Sequence, residues 1–150
     1  MKLRTQILET FPKTPKPKNS LSDAIIADDW GKTDNAIEES WNDWTEIEDW
    51  QVNVCPYVFT YLDFEDSKYY LPRYLVFILD DIEGKVDKSL NADVAITIFN
   101  FIIGNWSKLR DQLGGEKIKL VKDLLITCKN DLNYSIDLEM TGIDPEKYEL

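Results

Sequence analysis

The sequence predicts an all-α, single-domain irregular helical bundle around a central helix starting near Pro72. Three observations carry that prediction. The run Tyr69-Tyr70-Leu71-Pro72-Arg73-Tyr74-Leu75-Val76-Phe77-Ile78-Leu79 is the densest apolar and aromatic stretch, with acids on both sides. Within it Leu71, Tyr74, Leu75, Ile78, Leu79 and Ile82 repeat with the period of one broad helical face. Two further stretches, 92–113 and 116–129, hold an apolar face over several turns, and convincing period-two alternation is absent.

Taken in order, Leu3, Ile7, Leu8 and Phe11 predict a short amphipathic helix over residues 2–11. Three prolines in six residues (Pro12, Pro15, Pro17), interleaved with lysines, then favour an extended Pro/Lys connector over 12–19. Ser20 to Asp23 offer caps for a short helix carrying Ala24, Ile25 and Ile26, which Gly31 would end. Ile37, Trp41 and Trp44 at i, i+4, i+7 predict another helix opening at Thr33-Asp34, with a further turn from Thr45. Val52, Cys55, Val58, Phe59 and Leu62 form a stripe best served by a helix starting at Pro56, and Gln51–Val54 is a candidate for a strand.

Pro72 has no N–H and crowds the preceding turn, so it is placed at the first position of the central helix, with Phe64–Tyr70 a separate turn before it. Val76 and Phe77 lie off the main face, which predicts burial nearly all round. Glu83-Gly84-Lys85 stops the helix, and Asn91 caps the next one, over 92–113, with a bend at Gly104. Gly114-Gly115 ends that helix before the last one, 116–129, which carries its lysines outside. The tail, 131–150, alternates weakly from Asn133 and reads as a strand or an irregular strap.

A chain of 150 residues buries about 68–70% of its unfolded surface without staples. Its formal charge of −11 argues against nucleic acid and anionic membrane as partners and names a basic protein as the electrostatic complement. The charge is local. Residues 1–18 carry a net +4, whereas residues 19–67 hold thirteen acids against Lys32 alone, a net −12. The absence of histidine removes histidine-based catalysis and histidine-ligated zinc. Cys55 and Cys128, 73 positions apart among apolar neighbours, predict two buried thiols rather than a disulfide or a metal site. Neither a leader nor a membrane-spanning run is apparent, so the expected compartment is the cytoplasm, and no cofactor is implied.

Several blocks carry a resemblance: Phe11-Pro12…Pro15-Lys16-Pro17, Trp44-Thr45-Glu46-Ile47, Tyr61-Leu62-Asp63-Phe64-Glu65, Tyr69-Tyr70-Leu71-Pro72-Arg73-Tyr74-Leu75, and Glu116 to Leu125. Over about residues 7–128 the chain resembles an uncharacterised family of small, mainly bacterial proteins classed as a domain of unknown function. The Tyr-Tyr-Leu-Pro block with its upstream Leu-Asp-Phe-Glu is the specific part, and Arg73 stands where that family usually has alanine. The resemblance implies a shared fold and no activity.

The most unusual surface feature is a band of tryptophans (Trp30, Trp41, Trp44, Trp50) interleaved with acids. Tryptophan anchors interfaces and charge complementarity selects partners. Glu38, Glu39, Asp43, Trp44, Glu46, Glu48 and Asp49 are therefore the candidate partner-binding residues. The competing reading puts Trp41 and Trp44 in the core and leaves the acids merely solvated. Adjacent acids such as Asp28/Asp29 and Asp80/Asp81 point in different directions on a helix, so they make no catalytic pair by adjacency. The tyrosines around Arg73 suit stacking on a flat ligand or, more simply, core rings.

The function expected is a non-enzymatic acidic binding protein for a basic protein partner. An immunity-type inhibitor of a toxin is one concrete version. The alternative is a small enzyme or metal-binding protein with a carboxylate or tyrosine site in a helical cleft, and an acidic mimic of nucleic acid is a third reading.

Overall fold

A computed structural model describes residues 2–88, 90 and 94–150. The helices among them are α1 (Lys2–Thr10), α2 (Leu21–Asp28), α3 (Asp49–Val54), α4 (Val58–Tyr61), α5 (Phe64–Ile82), α6 (Val94–Gly104), α7 (Trp106–Leu113), α8 (Gly115–Lys129) and α9 (Tyr134–Thr141). Short 3₁₀ turns lie at Trp44–Glu46 and Pro145–Lys147, and no strand occurs among the described residues.

Helix α5 is the axle of the molecule. Every side chain from Tyr70 to Asp80 is buried, including Val76 and Phe77. A helix apolar around its whole circumference has to be covered on all sides. Helices α1, α3, α4, α6 and α8 and the first 3₁₀ turn all pack on it. The central helix is thus where the sequence places it, but it begins eight residues earlier, at Phe64 rather than Pro72. The Asp63 carboxylate launches it by accepting the Asp66 N–H at 2.8 Å, and Glu65 and Asp66 suit the positive end of the dipole. Pro72 sits inside the helix and leaves one backbone bond unmade, at a cost of about 3 kcal/mol. Unbroken burial on both sides of the proline outweighs that local penalty.

The stretch 33–43 is not helical. Its acids and hydroxyls make backbone bonds that compete with a helical ladder. The Glu39 carboxylate accepts the N–H groups of Leu21 (3.0 Å) and Ser22 (3.3 Å), capping α2, while the Ser22 hydroxyl donates to the Ile37 carbonyl at 2.7 Å. Trp41 and Trp44 still reach the core, at 4% and 1% exposure. Gln51–Val54 belongs to helix α3, which a Glu48/Gln51 capping box opens, and not to a strand. The stripe expected from Pro56 shortens to α4.

The bend expected at Gly104 is a full break, so the single helix expected over 92–113 is divided into α6 and α7, and between them the Asn105 side chain donates to the Phe101 carbonyl at 2.8 Å. The cap assigned to Asn91 and the start of that helix at residue 92 fall outside the described residues. Helix α8 matches its expected span. The tail is neither a strand nor wholly irregular. Asp131 accepts the N–H groups of Asn133 (2.9 Å) and Tyr134 (3.1 Å) to launch α9, and Gly142, at φ 73°, ends it.

Between α1 and α2 the Pro/Lys connector has no helix or sheet ladder, so its carbonyls need outside donors. Aromatic side chains supply them. The Trp44 indole N–H donates to Pro12 O (2.9 Å), the Tyr69 hydroxyl to Thr14 O (2.7 Å) and the Tyr70 hydroxyl to Asn19 O (2.9 Å). The Tyr-Tyr pair of the central block is thereby explained as a clamp on the connector. Both cysteines are buried free thiols.

Candidate functional site

The seven candidate residues have mostly internal duties. Glu39 caps α2. Asp43 caps the first 3₁₀ turn through the Thr45 N–H at 2.8 Å. Glu46 accepts the Asn42 N–H (2.7 Å), and Glu48 accepts the Trp50 indole N–H (2.8 Å). Asp49 pairs with Arg73 at 2.5 Å, where the same guanidinium donates to Ile47 O at 2.6 Å. Trp44 is in the core and offers no contact surface; its burial follows from the turn that Asp43 caps. Glu38 is exposed.

An open groove lies beside this segment. It has a volume of about 330 Å³ and is lined by Ala24, Ile25, Ile37, Val54 and Tyr57, with Asp28 and Asp29 at its edge and Cys55 contributing to the lining. The Cys55 thiol donates to Leu21 O, and burial pushes it up to about 12, so it serves as an apolar, unreactive wall. Val54 and Tyr57 are 46% and 41% exposed, large values for apolar side chains at a groove wall. Asp29 accepts the Asn35 amide at 2.8 Å, and the Tyr61 phenol is raised by its hydrogen bond to Asp28. Both acids therefore have neutral partners.

The position of those acids is itself informative. They end α2, which has no base in its last turn, and face the negative end of the helix dipole. Each is expected to cost about 0.3–1 kcal/mol at low ionic strength. The double change Asp28→Asn and Asp29→Asn is accordingly expected to raise the thermal midpoint, by about 2–4 °C per kcal/mol recovered. Calorimetry in low salt checks this, and an unchanged or lower midpoint would show that the acids are not an expense to the fold.

Two other clefts carry less. One of about 340 Å³ holds Arg4, Glu48, Asp49, Arg73 and Asp80, but both of its cations are paired, Arg4 with Asp80 at 2.6 Å and Arg73 with Asp49, and Glu48 accepts the Trp50 indole N–H. Another of about 480 Å³ runs between the connector and α5, where Lys68 is held by Glu65 (2.8 Å) and Gln112 (2.7 Å). Among the described residues no three acids or thiols converge as metal ligands, and no helix is long and apolar enough to cross a membrane.

The sequence names Val54 only in a candidate strand, Tyr61 only in the block that carries the resemblance and Asp28/Asp29 only as adjacent acids, and it does not single out Tyr57. The signal was present: these apolar residues fall out of phase with the buried stripe of Val52, Cys55, Val58 and Phe59. A residue apolar on the wrong side of a stripe marks an open face.

The fold and groove define an all-helical domain with an apolar cleft edged by acids. Residues 1–111 match the family model described as Family of unknown function (DUF6714), and the chain belongs to that family. The match takes in every residue lining the groove and stops before α8, so the block Glu116 to Leu125 lies beyond it. Neither a curated protein nor a solved structure matches the chain.

Proposed function

We propose that this is a non-enzymatic, cytoplasmic binding protein of bacterial type whose acidic face engages a basic protein partner, an immunity-type inhibitor being one such role. One observation carries the reading. Of the thirteen acids between residues 19 and 67, only Asp49 and Glu65 have a basic side chain within 4.0 Å among the described residues. An acidic field left unneutralised within the molecule is available to a partner and speeds its approach. Capping duties orient several of these carboxylates without cancelling their charge. The Tyr-Tyr-Leu-Pro block supports the scaffold, since it clamps the connector and fills the core.

The test is affinity capture from the native host at low salt, followed by titration of the purified partner over a salt series. A basic partner whose dissociation constant rises steeply with ionic strength is expected. Capture of nothing, or of a partner whose binding ignores salt, would overturn the proposal.

A further inference from the structure

We infer that the groove between α2 and the α3–α4 corner receives one large apolar side chain of a basic protein segment, while a lysine or arginine beside it meets Asp28 and Asp29. The inference rests on the acidic-docking reading and narrows it to one place and one kind of segment. Charge and shape point to the same spot. The walls include the apolar side chains of Ile25, Ile37, Val54 and Tyr57. A groove of about 330 Å³ has room for an aliphatic or aromatic side chain.

Its edge is anionic twice over. Asp28 and Asp29 carry full charges, and the carbonyls ending α2 add the negative end of the helix dipole. Neither acid has an ion-pair partner among the described residues, although Lys32 follows in the same turn. Trp30 follows Asp29 in the sequence and is 95% exposed. A purely basic segment would leave the apolar walls wet, and a purely apolar one would leave the carboxylates unused. Only a segment with both satisfies the site.

The probes are three fluorescein-labelled peptides: an alternating lysine–phenylalanine peptide, the same peptide with serine for phenylalanine, and the same with glutamate for lysine. Binding to the full chain is read by anisotropy at low ionic strength. The lysine–phenylalanine peptide is expected to bind at least about tenfold tighter than the lysine–serine one, as burial of one large side chain requires. Val54→Ser with Tyr57→Ser should erase that preference and leave lysine–serine binding unchanged. Asp28→Asn with Asp29→Asn should weaken both lysine peptides, more than the charge-matched control Asp34→Asn with Glu38→Gln does. Circular dichroism confirms that each variant is folded. If the serine pair melts early, the neutral variant Val54→Gln carries the same comparison.

Equal binding of the two lysine peptides would overturn the groove and leave the acidic reading standing. Failure of both lysine peptides to bind would overturn the acidic reading itself. Tight binding of the glutamate–phenylalanine peptide would overturn the charged half of the inference. Self-association in sedimentation that the groove variants abolish would make a second copy of this chain the occupant and also overturn it.

Discussion

Replacing Trp44 with alanine is expected to cost about 3–5 kcal/mol, a large part of the roughly 5–15 kcal/mol that holds a domain of this kind folded. The ring is 1% exposed and sits in the 3₁₀ turn packed on α5. Its indole N–H also holds Pro12 O at 2.9 Å, so the variant loses core volume and one clamp on the connector together. In urea the midpoint should fall by more than about 1 M, since domains of this size lose about 1–3 kcal/mol per molar urea. Trp44→Phe keeps a ring without the donor and should recover most of the loss. A Trp44→Ala midpoint close to the parent's would return this residue to the surface. The result bears on function, because a partner lost with Trp44→Ala would report lost folding and not a lost contact.

The central helix is legible because burial on all sides writes itself into sequence as an unbroken apolar run. Its start is not, because proline's local cost is fixed while the tertiary burial that outweighs it is invisible in one dimension. Ile37, Trp41 and Trp44 imitate a helical stripe for another reason. Three anchors on an irregular segment can reach one core at any spacing, and what denies them a helix is Glu39 bonding to α2, eighteen residues upstream of it at Leu21. The acidic band is plain in composition, yet composition does not separate capping acids such as Asp43 from free ones such as Glu38. The groove needed the opposite kind of attention, to apolar residues that fail to fit a stripe. Val54 and Tyr57 are such residues, and a search for periodicity discards them.

Raising the pH above about 10 is expected to unfold the protein cooperatively. Burial holds the phenols of Tyr70, Tyr74 and Tyr134 above their ordinary value of 10.0 and the thiols of Cys55 and Cys128 above 9.0. In each case the neutral form is favoured by the fold, so the unfolded chain releases its protons first. The stability these groups confer is whole below pH 9.0, declines on the thiols between 9.0 and 10.0, and declines on thiols and phenols together above that. Each group gives up about 1.4 kcal/mol per pH unit, and by pH ~11 the five together reach roughly 10 kcal/mol, enough to unfold most domains. Ionising Tyr70 or Tyr74 also forfeits the bond to Asn19 O or Cys55 O. No histidine is present, so no side chain has its ordinary pKa between about 5 and 8, and that range should be a plateau. Because Tyr57 and Tyr61 are exposed, the expected signature under reducing conditions is a steep component of tyrosinate absorbance that coincides with the loss of far-ultraviolet ellipticity. Ionisation of all seven tyrosines with helicity intact would mean that the hydroxyls of Tyr70, Tyr74 and Tyr134 already meet solvent, and the tightly sealed core around α5 would have to be abandoned.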